Sequence, residues 1–196
     1  MRAVKINRLR KVISAFLVIV VIVSVFSWRF HVVNAECSAP VLETYSLNEP
    51  VFHNGVEYTL SDYAVLSEDE FCEQFNIDPL HVKVYGLHSK IIVFTMYAKN
   101  VSEQNVDVDF AGQMLLQLGN YTCTYMCYIP LFPLLNPDKP TAGTMLPGHD
   151  IELTIPYQII EYDWNENEYE NLENETTQIV FSLYPVKKSI ILQPHK

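Results

Sequence analysis

Glycine is scarce in this chain, with six residues in 196, and the signatures of several catalytic sites are missing. The sequence contains no G-x-S-x-G, no H-E-x-x-H and no glycine-rich phosphate loop, which mark hydrolases, zinc peptidases and nucleotide-binding sites. It has no C-x-x-C pair, which argues against structural zinc. The six histidines show no spacing typical of metal ligands. These absences favour a protein that binds over one that catalyses.

The N-terminal region lacks charge in one stretch and lacks acid throughout. No charged residue occurs in the 17-residue run 12–28, "VISAFLVIVVIVSVFSW", and no acidic residue precedes Glu36. A run of this length is at the short end of what crosses a bilayer, and the five basic residues before it favour a cytoplasmic N-terminus. We therefore predict a cytoplasmic tail at 1–11, a transmembrane anchor at 12–28, a linker at 29–40 and a domain at 41–196.

A cleaved signal peptide is the alternative reading of the same segment. Val33-Asn34-Ala35 has the small or modest residues that precede a cleavage site, and cutting there would leave Glu36 first. The apolar run exceeds the usual 7–15 residues of a signal core, which favours the uncleaved anchor. Both readings export the C-terminal domain, and with the favoured anchor we expect a single-pass membrane protein with an extracytoplasmic body.

Basic residues become rare after position 35. Residues 36–196 carry seven Lys and Arg against all 23 acidic residues, a formal charge of −16. Such a surface repels phosphate backbones and anionic lipid head groups, so a nucleic-acid partner is excluded.

Four cysteines leave the thiol chemistry open. Cys37, Cys72, Cys123 and Cys127 permit two disulfides in an exported domain, with three connectivities. In an extended strand Cys123 and Cys127 would lie about 13 Å apart, too far to bridge each other. Pairing elsewhere and free buried thiols are both compatible with the sequence.

Beyond position 41 the sequence predicts seven to nine short strands and one short helix. Asn54-Gly55 between β-favouring runs indicates a tight hairpin. Ser67 with Glu70 three residues later indicates a capping box that opens a helix. The stretch 91–110 alternates, breaks after Lys99-Asn100 and alternates again, which we interpret as two strands joined in a hairpin. The pattern predicts an all-β protein, an antiparallel β-sandwich preceded by the N-terminal helix.

Several segments resemble a known family. The stretch 91–110, "IIVFTMYAKNVSEQNVDVDF", is similar to immunoglobulin-like extracytoplasmic domains tethered to the membranes of Gram-positive bacteria, and "LPGHDIELTIPYQI" resembles their later proline-glycine turn and strand. "SEDEFCEQF" and "FSLYPVKK" (181–188) resemble a subfamily of unknown function from gut anaerobes. The resemblance implies an immunoglobulin-like sandwich outside the membrane. It carries no catalytic residues to this chain.

The most acidic segment, 161–175, is the candidate metal site. Asp163, Asn165 and Asn167 repeat the D-x-N-x-N opening of a calcium loop, with Glu168 and Glu170 nearby. Glu168 and Asn174 stand where an EF-hand requires Gly and Glu, so the EF-hand pattern fails. A looser calcium site is the alternative to a charged, solvated loop.

The proline-rich segment 129–149 is the candidate partner site. Its five prolines exclude a central strand or a helix, which predicts a long loop. Four apolar side chains there can form an exposed patch or fold over the end of the sandwich: Leu131, Phe132, Leu134 and Leu135. Lys187 and Lys188 are the other candidates, with a partner's carboxylate or an internal one as mates.

From these observations we expect a membrane-anchored extracytoplasmic module that binds a protein or envelope partner, or supports the envelope, without catalysis. The first alternative is a calcium-dependent binding module that uses 161–175. An exported hydrolase is the second, and it requires a cleft that holds a paired nucleophile and base.

Overall fold

The computed structural model describes residues 2–36, 39–84, 86–119 and 123–192. The chain divides into two compact units, Met1–Ala39 and Pro40–Lys196. The first consists of helix α1, Arg2–Glu36.

Helix α1 contains a stretch long and apolar enough to cross a membrane. This stretch is Phe16–Ala35, with a mean hydropathy of 2.2 and none of its residues buried; a signal sequence has the same properties. The helix continues through residues 29–36, so the first part of the segment predicted as a linker, 29–40, is helical. No glycine or proline occurs between positions 12 and 39, so nothing in the sequence stops the helix at Trp28.

The second unit is the predicted β-sandwich. Its strands are β1 (Val41–Ser46), β2 (Val51–His53), β3 (Val56–Ser67), β4 (Ser89–Asn100), β5 (Val106–Asp109), β6 (Leu115–Leu118), β7 (Cys123–Met126), β8 (Ala142–Met145), β9 (Asp150–Ile160), β10 (Thr177–Ser182) and β11 (Val186–Leu192). One sheet has the order β1-β11-β10-β6-β7 and the other β2-β3-β4-β9. The strands β5 and β8 form a separate pair.

The core lies between the two larger sheets. Phe94 and Tyr157 stack at 5.7 Å between ring centroids, and Leu116, Ile179 and Ile190 face them from the five-stranded sheet. The Tyr157 hydroxyl donates to the carbonyl of Met114 at 3.1 Å, and complete burial raises the pKa of this phenol well above its usual value. Alternating apolar residues on both inner faces therefore hold the sandwich together.

Two features differ from the predicted antiparallel arrangement. β1 pairs with β11 in parallel, from Val41 opposite Val186 to Ser46 opposite Ile191. The predicted hairpin between β4 and β5 is wrong, because β4 lies between β3 and β9 whereas β5 pairs with β8. Asn100 ends β4 at this point: its buried amide donates to the carbonyls of Gln104 and Met145 and turns the chain away from the sheet.

The local signals at Asn54 and Ser67 are confirmed. Asn54 and Gly55 both have positive φ angles, 49° and 81°, as a type I′ turn between β2 and β3 requires. The helix α2, Glu68–Phe75, begins at Ser67 with both hydrogen bonds of a capping box. The connection to β4 adds a 3-10 turn, Pro79–His81.

The proline-rich and acidic segments are more ordered than the sequence predicts. The first contains a one-turn helix, α3 (Phe132–Leu135), which tolerates Pro133 because the proline lies in its first turn, and then β8. The second contains α4 (Glu166–Glu170) between the 3-10 turns Glu161–Asp163 and Leu172–Asn174.

Candidate binding surface

The structure divides the predicted apolar patch of the proline-rich segment. Leu131 and Phe132 are both 0% exposed. Phe132 belongs to the main core, and Leu131 packs with Phe71 and Ile91 in a second cluster outside the four-stranded sheet. Their assignment to a partner surface is therefore wrong: the turn at α3 folds these side chains inward. Leu135 is partly buried against the same cluster, and Leu134 is 42% exposed.

Both candidate lysines have partners within the chain. The Lys188 ammonium lies 3.5 Å from the Glu43 carboxylate and donates to the carbonyl of Phe52 at 2.6 Å. It thereby links β11 to β1 and to β2 of the other sheet. Lys187, one residue earlier, points to the opposite face and donates to the side-chain oxygen of Gln117 at 3.1 Å.

The acidic segment uses its predicted calcium ligands in other ways. The Asn165 side chain accepts the backbone N–H of Glu168 and so caps α4, while Asp163 accepts the Tyr125 hydroxyl at 3.5 Å. Asn167 accepts through its backbone carbonyl from Asn171. Within the described residues, no group of three His, Cys, Asp or Glu side chains is close enough to hold a metal ion. Glu168 and Glu170 are exposed.

Lys90 fastens the acidic segment to the sheet. Its ammonium donates to the carbonyls of Tyr169 and Glu170 at 2.8 and 2.9 Å, where α4 ends, and lies 3.5 Å from Glu173. It also lies 5.2 Å from the centre of the buried Tyr169 ring. Burial, followed by nearby carboxylates, raises the pKa of Tyr169 to about 12. The acidic segment is therefore packed against the sheet rather than being a free loop.

Of the four cysteines, two are described in full. Cys72 and Cys127 are free thiols, and burial raises the pKa of both, that of Cys127 to about 12. High thiol pKa values keep them in the unreactive form. Cys37 and the side chain of Cys123 lie outside the described residues.

A serine hydroxyl and a carboxylate meet beside α2, in the arrangement that a hydrolase would require. The Ser89 hydroxyl donates to Glu68 at 2.7 Å and accepts from Gln158 at 2.9 Å. An open cavity of about 610 Å³ adjoins this pair and is lined in part by Glu68 and His88. Ser89 itself is 3% exposed, and its backbone N–H also donates to Glu68. The pair therefore ties α2 to β4.

A different surface emerges from the register of the five-stranded sheet. Side chains alternate between faces along a strand, and Leu116, Ile179 and Ile190 mark the face turned to the core. The register then assigns twelve residues to the opposite side of this sheet, which we call the outer face from here on: Leu42, Thr44, Ser46, Leu115, Gln117, Thr124, Met126, Gln178, Val180, Lys187, Ser189 and Ile191.

The outer face contains no carboxylate. Its members include one lysine and no Asp or Glu, although 23 acids occur in the chain. The opposite sheet differs, since the same alternation places Glu57, Lys99, Asp150 and Glu152 on its outward side. The rest of that side is covered by α2 and α3, which pack against β3, β4 and β9.

Hydrogen bonds cross the outer face from strand to strand. Gln178 on β10 donates to the Gln117 oxygen on β6 at 2.7 Å, and Lys187 on β11 donates to the same oxygen. The Gln117 amide donates to Thr124 on β7 at 3.4 Å. The polar side chains at the centre thereby pair with one another. Gln178 and Val180 are also buried, at 3% and 1% exposed.

Apolar side chains are exposed on the two margins of the outer face. Leu42 on β1 is 70% exposed and Met126 on β7 is 61% exposed. Such a surface, self-paired in its polar centre and with one exposed apolar side chain at each margin, can be covered without leaving an unpaired carboxylate. Of the sequence-predicted residues, Lys187 alone lies on it.

Comparison with known proteins gives a family. A family model described as "Domain of unknown function (DUF5028)" matches residues 41–188. No curated protein matches the chain. Similar solved structures include an uncharacterised β-sandwich protein from Clostridium difficile, with 9% identity, a TM-score of 0.46 and coverage of 80% of this chain and 97% of that one.

Two further structures are similar to a comparable extent. A functionally unknown protein from Listeria monocytogenes has 12% identity and a TM-score of 0.49, covering 77% of this chain and 84% of that one. A candidate lipoprotein from Bacillus subtilis has 8% identity and a TM-score of 0.48, covering 76% and 39%. Because the family model matches most of the sequence, the sandwich included, the chain belongs to the DUF5028 family.

Proposed function

We propose that this protein is a membrane-anchored binding module that holds a β-sandwich outside the cytoplasm and carries out no catalysis. The observation that carries the proposal is the outer face of the five-stranded sheet, uncharged but for Lys187 on a body of net charge −16. A surface kept free of carboxylates, with apolar margins, fits contact with another molecule better than it fits solvation.

The helix α1 supports the anchor. Its apolar stretch Phe16–Ala35 has the length of a membrane span, and five basic residues precede it. Positive charge on the N-terminal flank places that flank in the cytoplasm and sends the sandwich out.

The test is a topology measurement on the full chain. In intact cells, externally added protease should digest the sandwich while an N-terminal tag stays protected, and alkaline carbonate should leave the chain in the membrane. The intact mass should correspond to the uncleaved chain. A mass that begins at Glu36 would replace the anchor with a cleaved signal peptide.

The control is Ile22→Arg at the middle of the apolar stretch. An arginine at the centre of a span costs about 2.5–3.5 kcal/mol on insertion scales, so this variant should lose membrane retention. Recovery of the unaltered protein in the cytosol, with its sandwich shielded from external protease, would reject the proposal.

A further inference from the structure

We infer that the outer face of the five-stranded sheet is the contact between two copies of this chain in one membrane. The inference rests on the proposed function and names the partner of the surface described there. The two copies would meet face to face about a two-fold axis, so that each supplies the same residues. Sheets packed in this way keep their strands within about 30° of each other.

Charge selects the second copy as the occupant. Bodies of net charge −16 repel each other over most of their surface. The outer face is where two of them can approach without opposing carboxylates, and face-to-face packing keeps the outward Glu57, Asp150 and Glu152 of the other sheet far apart. A basic partner, by contrast, would prefer the acidic surfaces and gain nothing from this face.

The polar groups of the face lower the cost of covering it. Gln117, Gln178 and Thr124 already hydrogen-bond to one another. Burying them against a second copy therefore breaks few hydrogen bonds with water. Leu42 and Met126, at opposite margins, supply the exposed apolar area that association removes from water.

The small size of the outer face determines where two copies can associate. Twelve residues fall short of the roughly 20–30 per side of a standard stable interface, so association between freely diffusing copies should be weak. Anchoring both copies in one bilayer raises their effective concentration and gives them a common orientation. The dimer is therefore a property of the membrane-bound protein.

The experiment measures energy transfer between full-length copies in liposomes, with donor or acceptor fluorophores on the N-terminal tail. Leu42→Glu places a carboxylate on the outer face and should weaken association about tenfold or more. Leu80→Glu is the matched control, since Leu80 is 81% exposed on the connection after α2 and the charge change is identical. It should leave transfer unchanged. Met126→Glu repeats the test at the other margin and keeps it decisive if Leu42→Glu lowers the melting temperature.

Salt separates this contact from one made by opposite charges. Raising the salt from about 0.1 M to about 1 M shortens the screening length from about 10 Å to about 3 Å. Repulsion between the two bodies falls while apolar burial persists, so transfer in the wild type should rise. Transfer that falls with salt, or that is equal in wild type, Leu42→Glu and Met126→Glu, would overturn the inference. A chain that inserts with the expected topology and stays monomeric would reject the dimer and leave the anchored module standing.

Discussion

At the scale of single residues, a buried asparagine side chain stabilises the fold although no sequence motif predicts its role. Asn136 is 1% exposed and lies beside β9, an edge strand of the four-stranded sheet. Its side chain accepts from the backbone N–H of Thr154 at 2.8 Å and donates to the Thr154 carbonyl at 2.7 Å. One amide thus takes the place of a neighbouring strand. The role of Asn136 could not be predicted from the sequence, because an asparagine between Leu135 and Pro137 is typical of any turn.

We expect Asn136→Ala to lower the free energy of unfolding by about 2–3 kcal/mol, because both backbone groups of Thr154 lose their partner in a part-buried site. Asn165→Ala is the comparison: it removes the exposed cap of α4 and should cost about 1 kcal/mol or less. Denaturant unfolding in detergent measures both losses. Equal losses would mean that the Asn136 amide is not pairing with the strand.

His53 gives the protein a titratable group in the neutral range. Burial, followed by the positive charge of Lys188, lowers the pKa of His53 below its ordinary 6.5. Asp109 lines the same small cavity, and Asn54 hydrogen-bonds to the imidazole. When the pH falls through about 6.5 the unfolded chain takes up a proton that the folded chain refuses. The free energy of unfolding is therefore greater above about pH 6.5, where His53 is neutral in both states, and it decreases as the pH falls below that value.

The expected result is a larger fall in melting temperature for the wild type than for His53→Gln between about pH 7.5 and about pH 5.5. Thermal unfolding of the two proteins in the same buffers measures the difference. Carboxylates that titrate in this range affect both proteins alike, so they cancel. A wild type that is no more sensitive to acid than the variant would contradict the assignment.

At the scale of elements, the sequence best predicted those turns and helix starts whose conformation depends on only a few neighbouring residues. The Asn54-Gly55 turn needs only its own positive φ angles, and the start of α2 needs only Ser67 and Glu70. The β4–β5 hairpin failed for the opposite reason: the partner of β5 is β8, more than thirty residues further on, and the pairing register has no local signal. The burial of Leu131 likewise depends on α2 and β4 rather than on its own segment.

Helix α2 offers a direct test of such a local signal. The Ser67 hydroxyl accepts the Glu70 N–H, and the Glu70 carboxylate accepts the Ser67 N–H at 2.8 Å, which also lowers the pKa of Glu70. Ser67→Ala should lower stability by about 1 kcal/mol. Glu70→Gln keeps an acceptor at the same position and should lose less than half as much. Chemical denaturation ranks the two variants, and the reverse order would show that charge, rather than capping, dominates here.

At the scale of the whole molecule, composition predicted the class and strand pairing supplied the surface. The alternating strand pattern, the β-sandwich class and the acidic composition of the body could all be predicted from the sequence. The outer face was not, because it draws on five strands between positions 41 and 192 whose order, β1-β11-β10-β6-β7, departs from chain order. Thr44, Gln117 and Ser189 are unremarkable until the register places them on one side.

The parallel pairing of β1 with β11 also bears on how the protein is made. Val41 and its partner Val186 stand some 145 positions apart, so during synthesis the first strand of the sandwich must wait for nearly the last. During that interval the nascent β1 exposes unsatisfied backbone groups that any passing strand can capture. The sandwich is therefore completed only near the end of synthesis, and a polypeptide truncated before Val186 lacks the partner strand of β1.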